Sequence, residues 1–178
     1  MEHTGFTLWL TGLPRSGKST VAGIVAGRLR QLGIEQIEVL DGDIIREGLC
    51  KGLGFSREDR TENIRRIAFV SKLLTRNGVA VLVAAISPYR EDRELAREEI
   101  QSFIEVWCHA SADDCAARDY KGLYEKARRG EITNLTGVND PYEEPEDADL
   151  VLDTVNEPPE ESAERVMALL REHGFLSD

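Results

Sequence analysis

The chain has 178 residues, 41% of them hydrophobic and 31% charged, which is enough for one domain (1–178) with a sizeable core and too little for a multidomain machine. Twenty-two Lys and Arg against 33 Asp and Glu leave a net charge of −11, which excludes a non-specific nucleic-acid binder or a protein held to an anionic membrane surface. Any anionic ligand must therefore meet a local basic pocket. The longest apolar stretch, residues 78–86, is too short to cross a bilayer, and no basic segment leads into an apolar run near residue 1, so a cytoplasmic location is expected. Cys50, Cys108 and Cys115 are odd in number and form no CxxC pair, which favours buried thiols over a disulfide framework or a zinc cluster.

In chain order, β-rich runs at 6–11, 37–40, 79–84, 103–108 and 150–152 alternate with helical patterns. Val21, Ile24, Val25, Leu29 and Leu32 recur at helical spacing between the first two strands, and Gly33 follows as a stop signal, so the chain opens with a β-α-β unit. Further helices are predicted over 57–76, 91–102 and 160–173. Nearly continuous apolar strands imply helices on both faces of a parallel sheet, a three-layer α/β domain of five strands. The polar segment 118–146 carries three glycines and two prolines without long apolar periodicity. Its length suggests a lid or binding loop, the alternative being a surface excursion.

Directly after the first strand, Gly12-Leu13-Pro14-Arg15-Ser16-Gly17-Lys18-Ser19-Thr20 fits GxxxxGK[ST] and opens a helix. Such a loop aims backbone N–H groups at the phosphates of a bound nucleotide, and the helix dipole assists. Lys18 is then placed to bridge the β- and γ-phosphates, and the Ser19 hydroxyl to ligate Mg²⁺. A GTPase switch, an ATPase motor and a small-molecule kinase all use this loop. No NKxD segment for guanine is present, and the DxxG match at Asp119–Gly122 is too short to inform.

The second strand ends in Asp41-Gly42-Asp43, where open α/β sheets bind ligands. One carboxylate can hold a Mg²⁺ water, which with Ser19 makes Asp41 the metal-side candidate. The other can take the proton from an attacking hydroxyl, although turn chemistry alone would also explain the pair. Arg60, Asn63, Ile64, Ile67, Val70 and Leu74 fall on one side of the third helix, so a polar pair shares the inward face. Either an anionic ligand satisfies Arg60 and Asn63, or they meet water, Asp59 and Glu62. Arg46 beside the same strand end adds to the cationic cluster.

Leu40-Asp-Gly-Asp43 with Arg46, Leu53-Gly-Phe-Ser56, Asp59-Arg60, Asn63-Ile-Arg-Arg66, Ile86-Ser-Pro-Tyr-Arg90, and Lys121-Gly-Leu-Tyr124 with Lys126-Ala-Arg128 together resemble the adenylylsulfate kinase family, in order and spacing up to about residue 153. The resemblance implies a P-loop kinase sheet of strand order 2-3-1-4-5, usually in a homodimer. It implies Mg²⁺- and ATP-dependent phosphorylation of the 3′-hydroxyl of adenosine 5′-phosphosulfate, giving 3′-phosphoadenylyl sulfate and ADP. By the same resemblance Asp43 is the base. Arg46, Arg60 and Asn63 hold the phosphosulfate and ribose, Phe55 stacks on the acceptor adenine, and Ile86 and Ser87 line the pocket. Lys121 comes from the lid, and Ser87 matches a serine described in the family as a phosphoserine intermediate. A kinase for another small anionic metabolite and a non-catalytic nucleotide-binding domain are the competing readings.

The chain departs from the family pattern at three places. Pro14, Arg15 and Ser16 fill the middle of a loop that usually reads Ser-Gly-Ala there. Tyr120 stands where the lid usually has proline, and Leu135 replaces a phenylalanine that would complete the adenine sandwich with Phe55.

Overall fold

The computed structural model describes residues 4–176. Strands β1 (Phe6–Thr11), β2 (Ile37–Asp41), β3 (Ala80–Ala84), β4 (Phe103–His109) and β5 (Leu150–Asp153) form one sheet in the order β2-β3-β1-β4-β5, every pairing parallel. The helices are α1 (Lys18–Gln31), α2 (Gly42–Glu47), α3 (Arg57–Thr75), α4 (Arg90–Glu99), α5 (Ala112–Ala117), α6 (Leu123–Arg128) and α7 (Pro159–Glu172). All six residues of β1 are buried, as the central strand of a sheet covered on both faces requires, and Leu8 lies between Leu82 and Ile104. The two-residue period then sorts its side chains into two cores. Phe6, Leu8 and Leu10 pack with Val25 and Leu29 of α1 and Val166 and Leu170 of α7, while Trp9 joins Ile64 and Ile67 of α3 and Ala96 of α4. This gives the three layers and the strand order expected from the sequence.

Element ends differ in ways that follow from hydrogen bonding. β2, β4 and β5 each run one residue further than their apolar patterns, ending on Asp41, His109 and Asp153. α4 stops at Glu99 rather than 102, because Ile100 is extended and the Ser102 carbonyl already accepts the Thr7 N–H at 2.7 Å. Gly33, at φ 82, ends α1 as its position predicts. The segment 118–146 is not structureless: it contains α6, too short at six residues to print a periodicity, and a bridge between Thr136 and Asp140. Among the described residues no helix is long and apolar enough to cross a membrane.

Candidate active site

A cleft of about 930 Å³ opens at the carboxyl ends of the strands. Its floor is the turn from β1 into α1. Gly12 is required there, since a Cβ would lie 2.6 Å from both the Cys108 carbonyl oxygen and Ser16 Oγ. Lys18, the first residue of α1, is buried and folds its ammonium back onto the loop, donating to the Gly12 carbonyl at 3.0 Å and the Leu13 carbonyl at 2.8 Å. Burial lowers its pKa from the usual lysine range, partly opposed by Asp41 and Asp43 among the nearby acidic groups. Those carbonyl bonds are replaceable by phosphate oxygens, which would restore a strong partner to a desolvated cation.

Beside Lys18, Ser19 Oγ donates to Asp41 Oδ2 at 2.5 Å, and Asp41 Oδ1 caps α2 by accepting the Asp43 N–H at 3.1 Å. The turn chemistry that Asp-Gly-Asp suggests is therefore real, but it coexists with a hydroxyl and two carboxylates facing one cleft. Two hard oxygen donors suit Mg²⁺, which keeps several waters and takes phosphate oxygens in preference to an all-protein cage.

The far end of the cleft is built by α2, α3 and the turn after β3. Arg46 Nη1 donates to the Gly54 carbonyl at 2.9 Å, and its guanidinium lies 4.4 Å from the centroid of the half-exposed Phe55 ring. Asn63 is buried, lines the cleft, and leaves its Oδ1 without a partner, an acceptor available to a ligand donor. Arg60 also lines the cleft, but its guanidinium is committed to protein. Nε donates to the Phe55 carbonyl, Nη1 to Thr136 Oγ1, and Nη2 to the Asn134 carbonyl and to Asp140 at 2.8 Å. Ile86 and Ser87 close this end. Ser87 is buried with φ 50, its Oγ accepting from the Trp9 indole at 2.8 Å and donating to the Ala85 carbonyl at 3.3 Å.

The cleft thus gathers Pro14, Arg15, Gly17, Lys18, Ser19 and Thr20 with Asp41, Asp43, Arg46, Phe55, Arg60, Asn63, Ile86, Ser87 and Lys121. Gly12, Leu13 and Ser16, also predicted to bind ATP, are not part of the cleft lining. Leu135 is placed differently from the expected ring partner of Phe55: it packs with Leu13 against Cys115 and Tyr124, outside the cleft lining. The sequence reading also missed a wall made by Arg118 and residues 154–159, where Arg118 Nη2 donates to the Thr154 carbonyl at 2.5 Å. The signal was available, since residues 154–159 follow the carboxyl end of the last strand. The three cysteines are buried and unpaired, as the sequence favours, and burial pushes the Cys108 thiol up to about 12.

The family profile described as adenylylsulphate kinase matches residues 4–153. An adenylyl-sulfate kinase of Picosynechococcus sp. is 54% identical over 177 residues, covering 99% of each chain. Among solved structures, the Mycobacterium tuberculosis APS kinase CysC in complex with AMPPNP and APS is 47% identical with a TM-score of 0.89, covering 96% of this chain and 99% of that one. A hexameric APS kinase from Thiobacillus denitrificans is 33% identical with a TM-score of 0.76, covering 99% of this chain and 30% of its own. The profile match spans most of the chain and the full-length relatives agree with it, so the chain belongs to the adenylylsulphate kinase family.

Proposed function

We propose that the protein transfers the γ-phosphoryl group of ATP to the 3′-hydroxyl of adenosine 5′-phosphosulfate, releasing ADP and 3′-phosphoadenylyl sulfate. The observation that carries this reading is the single cleft in which the phosphate loop and Asp43 face Arg46, Phe55 and Asn63. ATP lays its phosphates on Gly17, Lys18, Ser19 and Thr20, with its nucleoside toward Arg118 and the 154–159 wall. Ser19 and Asp41 would hold Mg²⁺, which would supply charge neutralisation during phosphoryl transfer. Asp43 orients the acceptor hydroxyl and takes its proton as the oxygen attacks phosphorus in line and the bond to the ADP oxygen breaks.

At the acceptor end, the Phe55 ring offers an apolar face to the adenine and Asn63 Oδ1 a hydrogen-bond acceptor, while Arg46 supplies the cation for the phosphosulfate. Arg60 serves this end through its hold on the Phe55 backbone and on residues 134–140. Lys121 reaches the cleft from the lid segment 118–146, whose closure would exclude water and so favour transfer to the acceptor over hydrolysis.

The decisive experiment is ADP release with adenosine 5′-phosphosulfate or adenosine 5′-monophosphate as acceptor, with and without Mg²⁺. Turnover is expected only with the phosphosulfate and Mg²⁺. Lys18→Ala should abolish it, and Asp43→Asn should lower kcat by roughly 10²–10⁴ while changing substrate binding less. Equal use of the monophosphate, or an Asp43→Asn variant that loses only acceptor affinity, would overturn the assignment.

A further inference from the structure

Two of the positions at which this chain departs from its family's usual pattern touch each other. Arg15 occupies a loop position that is usually glycine and keeps a glycine-like backbone, φ 68. Its side chain crosses to the lid, where the guanidinium carbon lies 4.4 Å from the Tyr120 ring centroid and Nε lies 3.6 Å from Asp119 Oδ1. Tyr120 is 80% exposed, with Lys121 Nζ also near its ring at 5.9 Å from the centroid, whereas the Asp119 side chain is only 1% exposed. That carboxylate also shapes the turn: Oδ1 accepts the Lys121 N–H at 3.2 Å, and Oδ2 accepts the Tyr124 N–H at 2.9 Å. One residue before Arg15, the Pro14 carbonyl accepts from the Tyr124 hydroxyl at 2.7 Å. Neighbouring residues of the phosphate loop therefore grip the turn that carries Lys121 at both of its ends.

We propose that Arg15 is a positioning residue that ties the phosphate loop to the lid turn and thereby sets Lys121 over the cleft. A planar guanidinium can stack on a ring and meet a carboxylate at once, which a lysine cannot do in the same geometry. The part concerning Lys121 rests on the function proposed above, but the coupling between loop and turn does not.

Arg15→Gly separates this role from a backbone role, because glycine suits φ 68 and loses only the side chain. Amide hydrogen exchange in the ligand-free protein is the primary readout, so its outcome is independent of which acceptor the enzyme uses. The amides of Lys121 and Tyr124 should exchange roughly two- to fivefold faster in Arg15→Gly, the range expected for an exposed cation–ring contact, while α1 amides such as Val21 stay unchanged. Arg15→Lys should recover only part of the protection, and in a Tyr120→Ala background the Arg15→Gly effect should shrink. In turnover, KM for the acceptor should rise more than KM for ATP. Unchanged exchange at Lys121 and Tyr124, or full additivity of Arg15→Gly and Tyr120→Ala, would overturn the coupling. Faster exchange with no such KM split would overturn its part in placing Lys121.

Discussion

Ser87 holds a buried hydroxyl in a backbone conformation that L residues rarely adopt, and its neighbours account for how it stays there. Its carbonyl accepts from Arg93 Nη1 at 2.6 Å, and Arg93 is itself buried against Glu105 at 2.8 Å. The Ser87 hydroxyl accepts from Trp9 and donates to Ala85, so placing a phosphoryl group on it would replace the proton given to the Ala85 carbonyl at a buried position. Phosphoryl transfer needs positioning and charge stabilisation more than a protein nucleophile, which favours a structural part for this serine. Ser87→Ala should therefore leave the Trp9 N–H without a partner, at a cost of about 1–3 kcal/mol, while turnover persists. For a chain of this size that corresponds to a fall of roughly 2–12 °C in Tm. Calorimetry beside an ADP-release assay checks both halves, and abolished turnover with phosphoserine recovered at Ser87 in the parent protein would instead make it a covalent intermediate.

Among the elements, the segment 118–146 depends on close backbone approach to the phosphate loop. Gly137 has φ 89, and a Cβ there would lie 2.6 Å from Leu13 Cδ2. The leucine tip can rotate away, but the left-handed backbone remains costly for alanine, so Gly137→Ala should destabilise the protein by about 1–3 kcal/mol and raise KM for the acceptor. Leu13→Ala combined with Gly137→Ala should be less destabilised than the two single variants predict by addition, because of the four proteins only the Gly137→Ala single variant sets a Cβ against the Leu13 side chain; denaturant titration measures this. The same segment marks the limit of what the sequence makes legible. β1 and α3 are readable because a six-residue run holding Phe6, Leu8, Trp9 and Leu10, and a long apolar face, have no other economical burial. Asp41, Asp43 and Asn63 are readable because strand ends and a helix face place them together. Leu135, Arg118 and the partners of Arg60 are not, since they depend on how a segment with α6 as its longest helix folds back over the loop, a matter of tertiary contact with no local period.

Across the whole molecule, a net charge of −11 coexists with a cleft lined by Lys18, Arg46, Arg118 and Lys121. Clustering cations where low-dielectric walls focus the field lets an acidic protein hold anionic ligands without attracting polyanions over its general surface. Lys18 makes this testable by linkage, because its buried ammonium donates to carbonyl and hydroxyl oxygens of the loop that phosphate oxygens would replace. Binding that prefers the folded state stabilises it by RT ln(1 + [L]/Kd), about 2.7 kcal/mol at a hundred times Kd, or a rise of roughly 5–11 °C in Tm for a domain of this size. Mg²⁺ with ATP should produce that rise in the parent protein. Chelation of Mg²⁺ should reduce it, because the proposed metal site at Ser19 and Asp41 would offset phosphate charge beside the Asp41 carboxylate. In Lys18→Ala the same nucleotide concentration should give a much smaller rise, since the loop then lacks the buried cation whose carbonyl partners phosphate oxygens would replace. Scanning calorimetry of both proteins decides it: an undiminished shift in Lys18→Ala would place nucleotide binding away from the phosphate loop, and with it the chemistry assigned to Asp43.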